Sequence, residues 1–113
     1  MSIKLKAYTF SGPYLLEDWQ PEDAAGVFAI LTKLDPVNKP TVYSVIYVEE
    51  TASFDRSGFP WSHSLARSWL REAKLKKNVY IAYCLLPRST REKRNQICEY
   101  LIREFHPICN LIK

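Results

Sequence analysis

The residues best suited to chemistry cluster at the end of one β-rich run. Val42–Glu50 closes on Tyr47-Val48-Glu49-Glu50-Thr51, and Arg56 follows within a few positions. A phenol hydroxyl can donate or accept a proton, and a carboxylate can hold a hard cation. A guanidinium fork matches phosphate oxygens two at a time. Tyrosine, acid and arginine at one strand rim are therefore the raw materials of phosphoryl chemistry. Each also has a plainer reading. Tyr47 can be a sheet tyrosine with its hydroxyl at the rim, and Arg56 a solvated loop arginine.

These residues need a scaffold, and the pattern around them supplies one. Gly26–Lys33 (GVFAILTK) and Val42–Glu50 are rich in Val, Ile, Phe and Tyr, and Asp35, Pro36, Asn38 and Pro40 punctuate the gap between them. That is a β-hairpin with a long loop. Upstream, Ile3, Leu5 and Ala7 alternate with polar neighbours, as in a half-buried strand. Gly12-Pro13 is expected to break that strand, leaving Tyr14, Leu15 and Trp19 to pack a loop or turn on the core. Downstream, Ser62 is the expected N-cap of a helix bearing Leu65, Ala66, Trp69, Leu70 and Ala73 on one face. Val79–Leu86 is nearly continuous in apolar character and reads as the buried central strand. Ser89-x-x-Glu92 has the form of a capping box, opening a helix whose stripe is Ile97, Cys98, Leu101, Ile102 and Phe105 and which ends before Pro107. The order β, loop, β, β, α, β, α predicts an α+β fold: a small, largely antiparallel β-sheet flanked by helices. One domain over 1–113 is expected, with residues 1–25 as an N-terminal strand and loop and 26–110 as the core bearing the motifs.

Composition narrows the classes. A hydrophobic fraction of 47% with 25% charged residues is that of an ordinary water-soluble globular chain. No window approaches the roughly 18 apolar residues of a membrane span, and the alternating start does not read as a signal peptide. Cys84, Cys98 and Cys109 are odd in number and contain no C-x-x-C, which fits free thiols in a reducing, cytoplasmic setting without disulfides. Cys98, His106 and Cys109 offer one lone ligand pair, His106-x-x-Cys109, and buried thiols account for them better than zinc. The net charge of +4 is compatible with a polyanionic partner. Arg67, Arg71, Lys74, Lys76 and Lys77 crowd one segment; Arg88, Arg91, Lys93 and Arg94 crowd another; the acids Glu17, Asp18, Glu22 and Asp23 gather early. Such runs usually mark solvated helix faces.

Taken in order, these pieces resemble the GIY-YIG nuclease superfamily. Gly26-Val27-Phe28 is similar to the first motif and Tyr47-Val48-Glu49 to the second. Arg56 and then His63 follow as in that superfamily, and Glu99, ahead of Leu101-Ile102, with Asn110, after Pro107, resembles its closing pair. Gly12–Leu16 and Gly58–His63 are similar to segments of short bacterial stand-alone members. No single motif is specific, and the resemblance lies in their order from about Ser11 to Asn110. It implies hydrolysis of DNA phosphodiesters with one divalent cation, Mg²⁺ or Mn²⁺, held by Glu99. Tyr47 would help to activate water, Arg56 would steady the phosphate, and His63 and Asn110 would complete the site. DNA would be the partner, met also by Lys76, Lys77, Arg67, Arg71 and Arg91.

Two positions depart from that pattern. Phe28 stands where the first motif carries tyrosine and has no hydroxyl. Glu49 stands where the second motif carries glycine, adding bulk and negative charge. Two accounts follow. Either Tyr43 or Tyr47 supplies the missing hydroxyl while Glu49 or Glu50 joins Glu99 at the metal, or the domain binds nucleic acid or protein without cutting. Losing a general base costs a factor of ~10²–10⁴ in rate. By periodicity alone Glu99 lies about 60° past Ile102, at the flank of the apolar stripe. His63 can be incidental and Asn110 a turn residue.

Overall fold

The computed structural model describes residues 1–111. Five strands, β1 (Ser2–Leu5), β2 (Tyr8–Leu15), β3 (Gly26–Thr32), β4 (Ser44–Thr51) and β5 (Tyr80–Leu85), form one antiparallel sheet in the order β1-β2-β5-β3-β4. Helix α1 (Ala66–Ala73) lies on one face and α2 (Arg91–Phe105) on the other. The fold is α+β, as the order of elements predicts. Val79–Leu86 does form the middle strand, and β3 with β4 is the expected hairpin.

The sheet's pleat sorts the core into two layers. Phe28 and Ile30 of β3 point to the α1 side, where Tyr47, Phe54, Phe59, Trp69 and Trp19 fill the space. Val27, Ala29 and Leu31 point to the α2 side, against Val48, Ile97, Cys98 and Leu101. Alternation along one strand thus fixes which helix each residue meets. Trp69, Tyr47, Phe28, Phe54 and Phe10 are each under 2% exposed. Fully burying an apolar side chain of this kind stabilises the fold by roughly 1.5–3 kcal/mol.

Three local expectations are corrected. The chain does not leave the sheet at Gly12-Pro13: β2 runs through it, with its register against β5 shifted between Ser11 and Tyr14. A bulge leaves residues unpaired, so a proline lacking an N–H is tolerated inside the strand. A side chain at Gly12 would also sit 2.8 Å from the Ile81 carbonyl oxygen. At the start of α2 the cap is Thr90, whose hydroxyl accepts the Lys93 N–H (3.1 Å), while Ser89 donates to the Leu86 carbonyl (2.6 Å). Ser62 does not cap α1, which begins at Ala66; its hydroxyl donates to the Ser57 carbonyl.

The described residues close on a 3₁₀ turn, Ile108–Leu111, laid against edge strand β4. The Asn110 side chain works there as a fragment of strand. Its amide N–H donates to the Val48 carbonyl and its oxygen accepts the Val48 N–H, both at 2.9 Å. Asn110→Ala unpairs both backbone groups of a residue that is 1% exposed. Chemical denaturation of that variant is expected to show a loss of about 1–3 kcal/mol.

Candidate functional site

The site is assembled on the α1 side of β4, and the backbone sets its chemistry first. After Arg56 the chain turns through Gly58–Trp61 and delivers His63 to the mouth of the hairpin. The Leu65 N–H donates to His63 Nδ1 at 3.0 Å, so that nitrogen is an acceptor and the ring proton sits on Nε2. Nε2–H then donates to Glu49 Oε1 at 2.7 Å. The same oxygen accepts the Tyr47 hydroxyl at 3.0 Å. One carboxylate oxygen is thereby clamped between a phenol and an imidazole.

Aromatic packing holds the clamp. Trp69 lies 4.8 Å from the His63 ring and 5.6 Å from Tyr47, centroid to centroid. Phe28 meets Tyr47 at 6.2 Å, Phe59 at 5.3 Å and Phe54 at 6.0 Å. Phe28 is wholly buried, so its side chain contributes packing here and no polar atom. Arg56 is exposed and stacks its guanidinium 4.8 Å above Phe59. Glu49, Arg56, Ser57, Phe59, Ser62, His63 and Ser64 line an open hollow of about 310 Å³ over this group.

Burial raises the Tyr47 hydroxyl far above an ordinary phenol, and the charge and hydrogen bond of Glu49 push the same way, against a smaller opposing effect from Arg56. A phenol raised in this way holds its proton, which it gives in a hydrogen bond to Glu49. Burial also lifts the Cys109 thiol from 9.0 to about 11. Both groups ionise more readily in the unfolded chain. Their contribution to stability is therefore full below about pH 9 and falls as pH rises above it, first through Cys109 and then through Tyr47, with Cys84, also raised by burial, adding to the first part. Thermal melts across that range should show the decline, and Cys109→Ala should flatten its first part.

The residues expected at the site fall into two groups. Tyr47, His63, Phe28 and Arg56 come together. Glu99 belongs to α2, on the opposite face of the sheet, and is exposed. It lines a separate hollow of about 330 Å³ with Val48, Glu49, Glu50, Asn95 and Asn110, so the two hollows share Glu49 at the sheet edge. Cys98, one position before Glu99, is buried in the α2-side core. Arg67 and Arg71 project from α1, with Lys76 and Lys77 on the turn after it, all exposed. Arg91 lies on the α2 side, 3.8 Å from Glu50.

A divalent cation of the Mg²⁺ class requires about six oxygen ligands, several of them waters, in near-octahedral array. Glu49 Oε1 already accepts two protein donors, and Glu50 accepts the Arg94 Nε–H at 2.9 Å. Among the described residues no group of three or more His, Cys, Asp or Glu is placed to hold a metal. Glu49 and Glu50 are thus already engaged by protein donors, while Glu99 lines the hollow they share. The lone pair His106-x-x-Cys109 is likewise split, with His106 exposed and Cys109 in the core. All three cysteines are free, and no helix among the described residues is long and apolar enough to cross a membrane. Comparison with family models, curated proteins and solved structures gives no match to this chain.

Proposed function

We propose that the chain is a GIY-YIG-like domain that binds the phosphate backbone of nucleic acid without hydrolysing it. The observation carrying this reading is the clamp on Glu49: the acid and the two groups able to exchange protons with it are satisfied by one another. A water held for attack would have to displace one of these contacts. Phosphate binding draws support from elsewhere. Arg56 stands on Phe59 at the rim of the hollow, Lys76 lies 4.6 Å above the Trp61 ring, and Arg67, Arg71 and Lys77 extend the same basic surface. Cations laid on aromatic rings beside further cations suit a charged backbone flanked by bases that can stack.

Two measurements on the intact protein test the reading. Fluorescence anisotropy with labelled single- and double-stranded DNA should give binding that weakens steeply with salt. Plasmid nicking with Mg²⁺ or Mn²⁺ should stay at background. Nicking that vanishes in Glu99→Ala or Tyr47→Phe would overturn it in favour of a working nuclease. Absence of salt-sensitive binding to either DNA would turn the reading toward a protein-interaction domain.

A further inference from the structure

At the far end of the α1 face, the segment Pro13–Gln20 walls a cavity of about 400 Å³ together with Tyr83. Three of its walls are aromatic. Trp19 and Tyr83 stand 5.5 Å apart at 57°, and Tyr14 and Tyr83 6.1 Å apart at 39°. The cage is held from behind, because Trp19 meets Phe54 and Phe59 nearly edge-on at 5.9 and 6.0 Å. The rings are thus in place before any ligand arrives.

The charge around this cavity is opposite to that of the whole chain. Asp18 lines it, Glu17 precedes it on the same exposed turn, and the negative charge of Glu22 is felt at Tyr83, against one cation, the amino group of Met1, which also lines the cavity. Carboxylates here repel phosphate, so the cavity is not a continuation of the basic surface. Aromatic faces attract cations, by roughly 0.5–2 kcal/mol for each well-placed contact. A quaternary ammonium has no N–H to satisfy and needs only such faces and a nearby negative charge. We propose that this cavity binds an alkylated ammonium group, carried by a free small molecule or by a methylated lysine side chain.

The test follows the Trp19 indole N–H by two-dimensional NMR in the intact protein. Choline should shift that signal saturably, with a Kd on the order of millimolar. Its uncharged isostere 3,3-dimethylbutan-1-ol should bind at least about tenfold more weakly, since only the charge differs. Asp18→Asn, an exposed change that spares the fold, should weaken choline by about three- to tenfold. Tyr14→Ala should weaken it further, with the remaining NMR spectrum reporting that the fold is kept. A trimethyllysine peptide binding more tightly than choline assigns the group to a protein partner, and one binding no more tightly assigns it to a small molecule. Equal binding of the isostere, no saturable shift by tens of millimolar choline, or an unchanged affinity in Asp18→Asn would overturn the proposal.

Discussion

Arg94→Leu should lower the unfolding free energy by about 3–5 kcal/mol, the cost of breaking a buried ion pair from one side. The sequence places Arg94 in a run of exposed bases, but its side chain is 7% exposed. Its Nε–H donates to Glu50 at 2.9 Å, and a terminal N–H donates to the Ser89 carbonyl and hydroxyl at 2.8 and 3.0 Å. The guanidinium therefore ties edge strand β4 to the entry of α2. Without it the ion-pair partner left to Glu50, 17% exposed, among the described residues is Arg91, whose own side chain is 80% exposed and 3.8 Å away. Urea denaturation measures the loss. The double variant Arg94→Leu/Glu50→Leu should recover at least about 1 kcal/mol of it, because no orphaned charge is left behind. A single-variant loss under about 1 kcal/mol would show that the pair behaves as a surface contact.

Neutralising Arg67, Arg71, Lys76 and Lys77 together should reduce DNA affinity on the order of 10³-fold at 50 mM salt and flatten its salt dependence by three to four ions. All four belong to α1 or the turn after it, on the layer that carries Arg56. Each backbone contact releases about one counterion, so the slope counts the contacts directly. Arg91 separates this surface from general positive charge. It lies across the sheet beside Glu50, and Arg91→Gln should change the slope by much less than one ion. Loss of affinity spread evenly over both groups of residues would mean that net charge alone drives binding.

Much of the fold was legible because hydrophobic periodicity reports burial. The β-branched and aromatic composition of β3, the nearly continuous apolar run of β5 and the stripe of α2 each lead to the element observed. What local rules miss turns on single residues. Gly12-Pro13 signals a break by local rules, yet a bulge lets the strand continue. Ser89 and Thr90 can both cap a helix, and only the position of the first turn chooses Thr90. Arg94 reads as solvated because its partner Glu50 is 44 residues distant in the chain. At the site the residue types were visible, but their partnership was not. Glu49 looks like an obstacle in the sequence and proves to be the residue on which Tyr47 and His63 converge. Glu99 sits at the flank of the α2 stripe by helical spacing, and the packing of α2 on the far face of the sheet leaves it exposed there.

Asn110 also governs how the molecule behaves among its own copies. A sheet has two rims, and an unguarded rim recruits strands from other chains. One rim here is β1, only four residues long and carrying Lys4. The other is β4, twice that length, where the side-chain amide of Asn110 occupies the groups an incoming strand would seek at Val48. Asn110→Ala protein held at high concentration should therefore form thioflavin-positive assemblies sooner than the parent chain, even at temperatures where both remain folded.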